Sequence, residues 1–62
     1  MNPSEIRELR KQHDETQEQF AERVGVVVRT VAGWEAGTTR PSRMALRQLE
    51  RIVRETPRKG RT

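Results

Sequence analysis

The side chains able to do chemistry in this chain are cationic. There are 13 Lys and Arg, 9 Asp and Glu and one His, with no cysteine. Guanidinium groups grip pairs of acceptors with a fork of N–H donors. Arg29 stands out, because its neighbours Val28, Ala32 and Gly33 offer no hydrogen-bonding side chain. The arrangements that catalysis needs are not in view. His13 has no second His or Cys to share a metal with, and reads as a solvent-facing residue at a helix end. Glu15, Glu18 and Glu22 read as a solvated helix face and not as an acid/base pair, since so short a chain has no mass to form a desolvating cleft. No cofactor and no enzymatic activity are expected.

The charge is unevenly placed. Residues 1–35 carry 5 basic and 7 acidic side chains, whereas residues 36–62 carry 8 basic and 2 acidic. A basic C-terminal half and a pI of 11.1 point to an acidic polymer, with nucleic acid ahead of an anionic membrane surface. A solvated arginine-rich helix without a ligand fits the composition equally. The longest aliphatic run is Val26 to Val28, so neither a membrane span nor a signal peptide is expected, and the cytoplasm is the expected location.

Sixty-two residues make one domain that hides only about 60% of the surface of its unfolded chain, so any functional site lies on a surface. Asn2-Pro3-Ser4-Glu5 combines a cap, a proline at the first helical position and a carboxylate three residues on. A first helix follows, to about His13, with Ile6 and Leu9 as its apolar stripe. Thr16 to Gln19 is a capping box that opens a second helix at Gln17, in which Phe20, Ala21 and Val24 share a face and Gly25 closes. A third helix carries Val31 and Trp34 inward and ends at Gly37, with Trp34 expected in the core against helix four. Thr38 to Pro41 is loop, Ser42 caps, and Arg43 to about Glu55 is the last helix. In that helix Leu46, Leu49 and Val53 form the main stripe, widened by Ala45 and Ile52. Residues 1–56 are the expected domain, and 57–62 a mobile basic tail.

Two short helices joined by a glycine-bearing turn of three residues make a helix-turn-helix, over about 17–36, whose second helix enters the DNA major groove. The three valines then have assignments. Val26 plugs the corner between the helices. Val27 occupies the cap position but has no side-chain acceptor, so the helix forgoes about 1 kcal/mol. Val28 begins the outward face, with Arg29, Ala32 and Gly33. Arg29 can donate to guanine O6 and N7, and Val28 and Ala32 can touch thymine methyls. Gly33 costs the helix about 1 kcal/mol relative to alanine unless close approach of DNA offsets it. Thr30 can reach a phosphate, a base edge or its own backbone. With so few polar readers, recognition through DNA shape is expected to contribute.

The stretch TQEQFAERVGVVVRTVAGWEAGTTRPS, Thr16 to Ser42, resembles the Cro/repressor-type helix-turn-helix family. The shared elements are Thr16-Gln17, Ala21, Gly25-Val26, Val31, Trp34-Glu35, Gly37 and Arg40-Pro41-Ser42. The resemblance implies an all-α, compact four-helix domain of the lambda-repressor-like kind, here without a clear fifth helix. It implies that Gln17 clamps a phosphate at a helix N-terminus, and that Arg40 and Arg43 lie on the side of the other strand's backbone; these two, with Thr30 and Thr39, are the further phosphate candidates. The single long last helix is similar to that of antitoxin-like members.

The partner is therefore expected to be double-stranded DNA. One recognition helix reads only a few base pairs, so a homodimer on two half-sites is expected, built through helix four by Met44, Arg51, Ile52 and Glu55. The leading expectation is a transcriptional regulator, most simply a repressor. An antitoxin that binds a toxin, and an interaction module that kept the fold without binding DNA, are the alternatives.

Overall fold

A computed structural model describes residues 1–55; the basic tail expected over 57–62 lies outside the described residues. Four helices follow in order: α1 (Pro3–Gln12), α2 (Gln17–Val24), α3 (Val28–Ala36) and α4 (Arg43–Arg54). Each start is fixed by a local device, except one. The Asn2 side chain accepts from the Glu5 amide at 2.8 Å while Glu5 accepts from the Asn2 amide at 2.9 Å. Thr16 and Gln19 repeat this reciprocal pattern at 3.1 and 2.9 Å, and Ser42 Oγ accepts from the Ala45 amide at 3.2 Å. Helix α3 starts at an extended Val27 with no side-chain cap.

The ends are equally local. Gly25 (φ 94°) and Gly37 (φ 82°) take the left-handed conformation that lets the closing amide turn back onto the last carbonyls, where a side chain would be strained. Helix α1 ends differently, on a reversal in which Asp14 itself is left-handed, at φ 55°. That reversal carries His13 inward. Its amide caps α1 by donating to Leu9 and Arg10, and the residue is only 2% exposed, not solvent-facing as its place at a helix end suggested.

Helices this short persist only by burying apolar faces together. Ile6 and Leu9 of α1, Phe20, Ala21 and Val24 of α2, Val31 and Trp34 of α3, and Ala45, Leu49 and Ile52 of α4 form one core, with Val26 and Leu46 packed at its margin. Helix α3 packs on α2 and α1, and α4 packs on α2. The α4 stripe is rotated from the expected one. Ile52 is 3% exposed and Val53 is 53% exposed, so the buried side of α4, on which α2 packs, is that of Ala45, Leu49 and Ile52. Ile52 is thereby removed from the set of residues available to a dimer interface, since its area is already buried within the protomer.

Candidate nucleic-acid interface

The outward side of α3 is built from the inside. Val31 and Trp34 are buried, and so is Glu35, 6% exposed, one position after Trp34 on the same face. A carboxylate there must be matched. Arg10 reaches across from α1 and donates to it twice, Nε to Oε2 at 2.7 Å and Nη2 to Oε1 at 3.0 Å. Gln17 Nε2, at the start of α2, adds a third donor to Oε1 at 3.1 Å. Burial pushes the Glu35 carboxyl up, but these hydrogen bonds and the nearby Arg10 and Arg7 charges hold it below the usual carboxylate range. The hydrogen bond from Arg10 to Glu35 in turn raises the guanidinium above its ordinary value.

Arg7 completes the attachment by donating from Nη2 to the Glu35 carbonyl at 2.9 Å, which satisfies a free acceptor at the end of α3. Side chains of α1 and α2 thus converge on one residue of α3. Its tilt relative to α1 and α2 is fixed by directional bonds as well as by packing.

A second pair holds the back of the motif. Glu15, expected to be solvated, is 9% exposed and is gripped by Arg23, whose Nη2 lies 2.6 Å from Oε2. Arg23 also reaches Glu55 at the end of α4 at 3.2 Å. Glu18 and Glu22 remain exposed.

With the inner face so fixed, the outer face can be read off. Val28 (39% exposed) and Arg29 point to solvent, and Ala32 is half-buried. Arg29, Arg40 and Arg43 are exposed and have no carboxylate partner among the described residues. The Thr30 hydroxyl has no hydrogen-bond partner among the described residues, so it stays available. Gln17 is half-buried and already holds Glu35, so a phosphate contact would share its amide with that carboxylate.

Gly33 has a different reason from the one expected. The close approach allowed by its missing side chain is made by the protein's own loop. A Cβ there would meet Thr39 Oγ1 at 2.7 Å and Thr38 Oγ1 at 3.3 Å. The Gly33 carbonyl accepts from the Thr38 amide at 3.0 Å and from its hydroxyl at 3.3 Å. Thr38 and Thr39 are thus laid against the side of α3, beside its outward face.

The residues that sequence reasoning did not single out are Arg7, Arg10 and the role of Glu35. A signal was present: at i, i+3 and i+4, Val31, Trp34 and Glu35 fall on one helical face, so periodicity alone placed a carboxylate on the buried side. Its cation, 25 residues away, carried no such signal.

A short helix, a glycine turn and a second helix pinned with one face outward define a helix-turn-helix protein. The helix-turn-helix family model matches residues 6–59, so the chain belongs to this family, of the Cro and XRE type, as a DNA-binding regulator. No curated protein and no solved structure matches the chain. Among the described residues no group of three metal-binding side chains is assembled, and no helix is long and apolar enough to cross a membrane.

Proposed function

We propose that this chain is a sequence-specific regulator that represses transcription by occupying an inverted-repeat operator as a homodimer, with its own promoter among its targets. The observation that carries the reading is Arg29. It is an exposed guanidinium with no carboxylate partner among the described residues, on a helix whose inner face is locked by Arg10, Gln17 and Glu35. The helix that carries it is already oriented, so binding orders only the Arg29 side chain before its N–H groups meet a guanine edge. Val28 and Ala32 beside it supply apolar contact, and Gln17, Thr30, Thr39, Arg40 and Arg43 supply phosphate contacts that set register.

The homodimer is proposed through α4. Met44 is 76% exposed, and at about 100° per residue it shares a face with Arg51 and Glu55. A two-fold axis would set this face of each copy against the same face of the other and bury Met44. The test is selection from a random duplex pool, with anisotropy titrations of wild type and Arg29→Met on the enriched sequence. An enriched inverted repeat, and an affinity drop of about 5- to 150-fold on Arg29→Met that a changed guanine position reproduces, are expected. Absence of any enriched sequence refutes the reading. The exposed Val27 and Val28 would then favour a protein-binding module.

A further inference from the structure

Two sets of arginines stand apart among the described residues. Arg7, Arg10 and Arg23 are engaged with Glu35, Glu15 and Glu55. The arginines of α4 have no carboxylate partner among the described residues; Arg51 makes only a bond of 3.4 Å to Gln48. Their spacing is ordered. At about 100° per residue, Arg43, Arg47 and Arg54 fall within roughly 40° of one another, with Arg51 at one edge, on the side away from buried Ala45, Leu49 and Ile52. All four are exposed. Over these positions the helix rises roughly 16 Å.

The stripe begins at Arg43, beside the loop laid on the recognition helix, and runs from there along the full length of α4. Glu50, the sole carboxylate within α4, lies on the same face about 20° from Arg43 and offsets one of these charges, so the stripe keeps an excess of positive charge that repels itself. A line of negative charge relieves that repulsion, and a duplex backbone supplies one, with a phosphate on each strand every ~3.4 Å of axis. An acidic protein surface would need carboxylates placed to match. The continuity with the DNA-facing loop favours nucleic acid.

We propose that Arg47 and Arg54, which continue the outward stripe of α4 from Arg43, form a second phosphate-binding surface, which engages duplex backbone outside the base pairs faced by α3. The inference rests on the DNA-binding reading above. The phosphates are those flanking the base pairs faced by α3 on the bound duplex, because the stripe continues from the loop beside α3; a second duplex is the contrary outcome of the test.

The experiment compares the full chain with Arg47→Gln/Arg54→Gln, two exposed positions outside the base-facing row and the proposed dimer face. Affinity is titrated against salt on three probes: a duplex limited to the selected site, the same site with long flanks, and the short site with an unrelated labelled duplex added. Each phosphate that is no longer neutralised lowers the slope of log affinity against log salt by ~0.9. A slope lower by ~1.8 per protomer with the flanked probe alone supports flank binding. Capture of the second duplex by wild type, abolished in the variant, overturns flank binding in favour of bridging. Equal slopes and equal capture for both proteins, with helical signal unchanged, overturn the stripe's role while leaving the regulator reading intact, and turn the stripe toward an acidic protein. Wild type that binds no probe overturns both.

Discussion

Removing Arg10 is predicted to cost more than removing Glu35, although they are the two halves of one ion pair. The Glu35 side chain is 5% exposed and the Arg10 side chain 18%. In Arg10→Met the carboxylate keeps Gln17 as its side-chain donor and has no route to water, which is the situation that costs about 3–5 kcal/mol. In Glu35→Leu the guanidinium keeps its bond to the Glu15 carbonyl and can swing outward, so the loss is about 1–3 kcal/mol. A domain of this size has about 3–9 kcal/mol in total. Arg10→Met therefore sits close to unfolding, and Arg10→Met/Glu35→Leu, which leaves no buried charge, is expected to be more stable than Arg10→Met by roughly 2 kcal/mol.

Urea unfolding at neutral pH, followed by the fluorescence of Trp34 and by the helical signal, gives all four corners of the cycle. Lower pH supplies an independent readout. Glu35 in Arg10→Met is pushed up by burial without its main counter-charge, so it takes a proton readily on acidification and the gap to wild type narrows. Equal losses from the two single substitutions, or a double variant as unstable as their sum, would refute the reasoning.

Other consequences are open to the same measurements. In wild type the Glu35 pKa is depressed on folding, so its contribution is complete above the unfolded carboxyl value of about 4.3 and is lost as pH falls through the lower folded value; wild type is expected to lose stability below about pH 4, and Glu35→Gln to lose less over that range. Val27→Ser should supply the missing cap, since Val27 is 66% exposed with extended backbone. A gain of about 1 kcal/mol, or a rise of about 4–8 °C in Tm, is expected, and no rise would show that the serine hydroxyl does not reach the α3 amides. Gly33→Ala should fall short of the usual gain of about 1 kcal/mol, because its Cβ would displace Thr39 Oγ1. In a Thr39→Ala background the same substitution should recover the gain, and an equal effect in both backgrounds would exclude the loop contact as the cause.

The sequence by itself determined where the helices begin and end. Asn2, Thr16 and Ser42 bond to amides three residues away, and Gly25 and Gly37 turn the chain within one residue, so these devices are complete inside a short stretch and readable in it. The uncapped start of α3, the corner position of Val26 and the inward faces of α2 and α3 follow from the same local rules. Tertiary structure alone decided how charges pair and which apolar neighbour goes deepest. Arg10 and Glu35 are 25 residues apart, and no period links them. Glu15 and His13 are buried because the reversal at Asp14 folds them inward. On α4 the apolar residues from Ala45 to Val53 cover a face too broad for periodicity to rank, and tertiary packing buries Ile52 and leaves Val53 half in water. Local hydrogen bonds are written in adjacent residues; the partner of a buried charge, or of one side of a wide apolar face, is set by what packs against it.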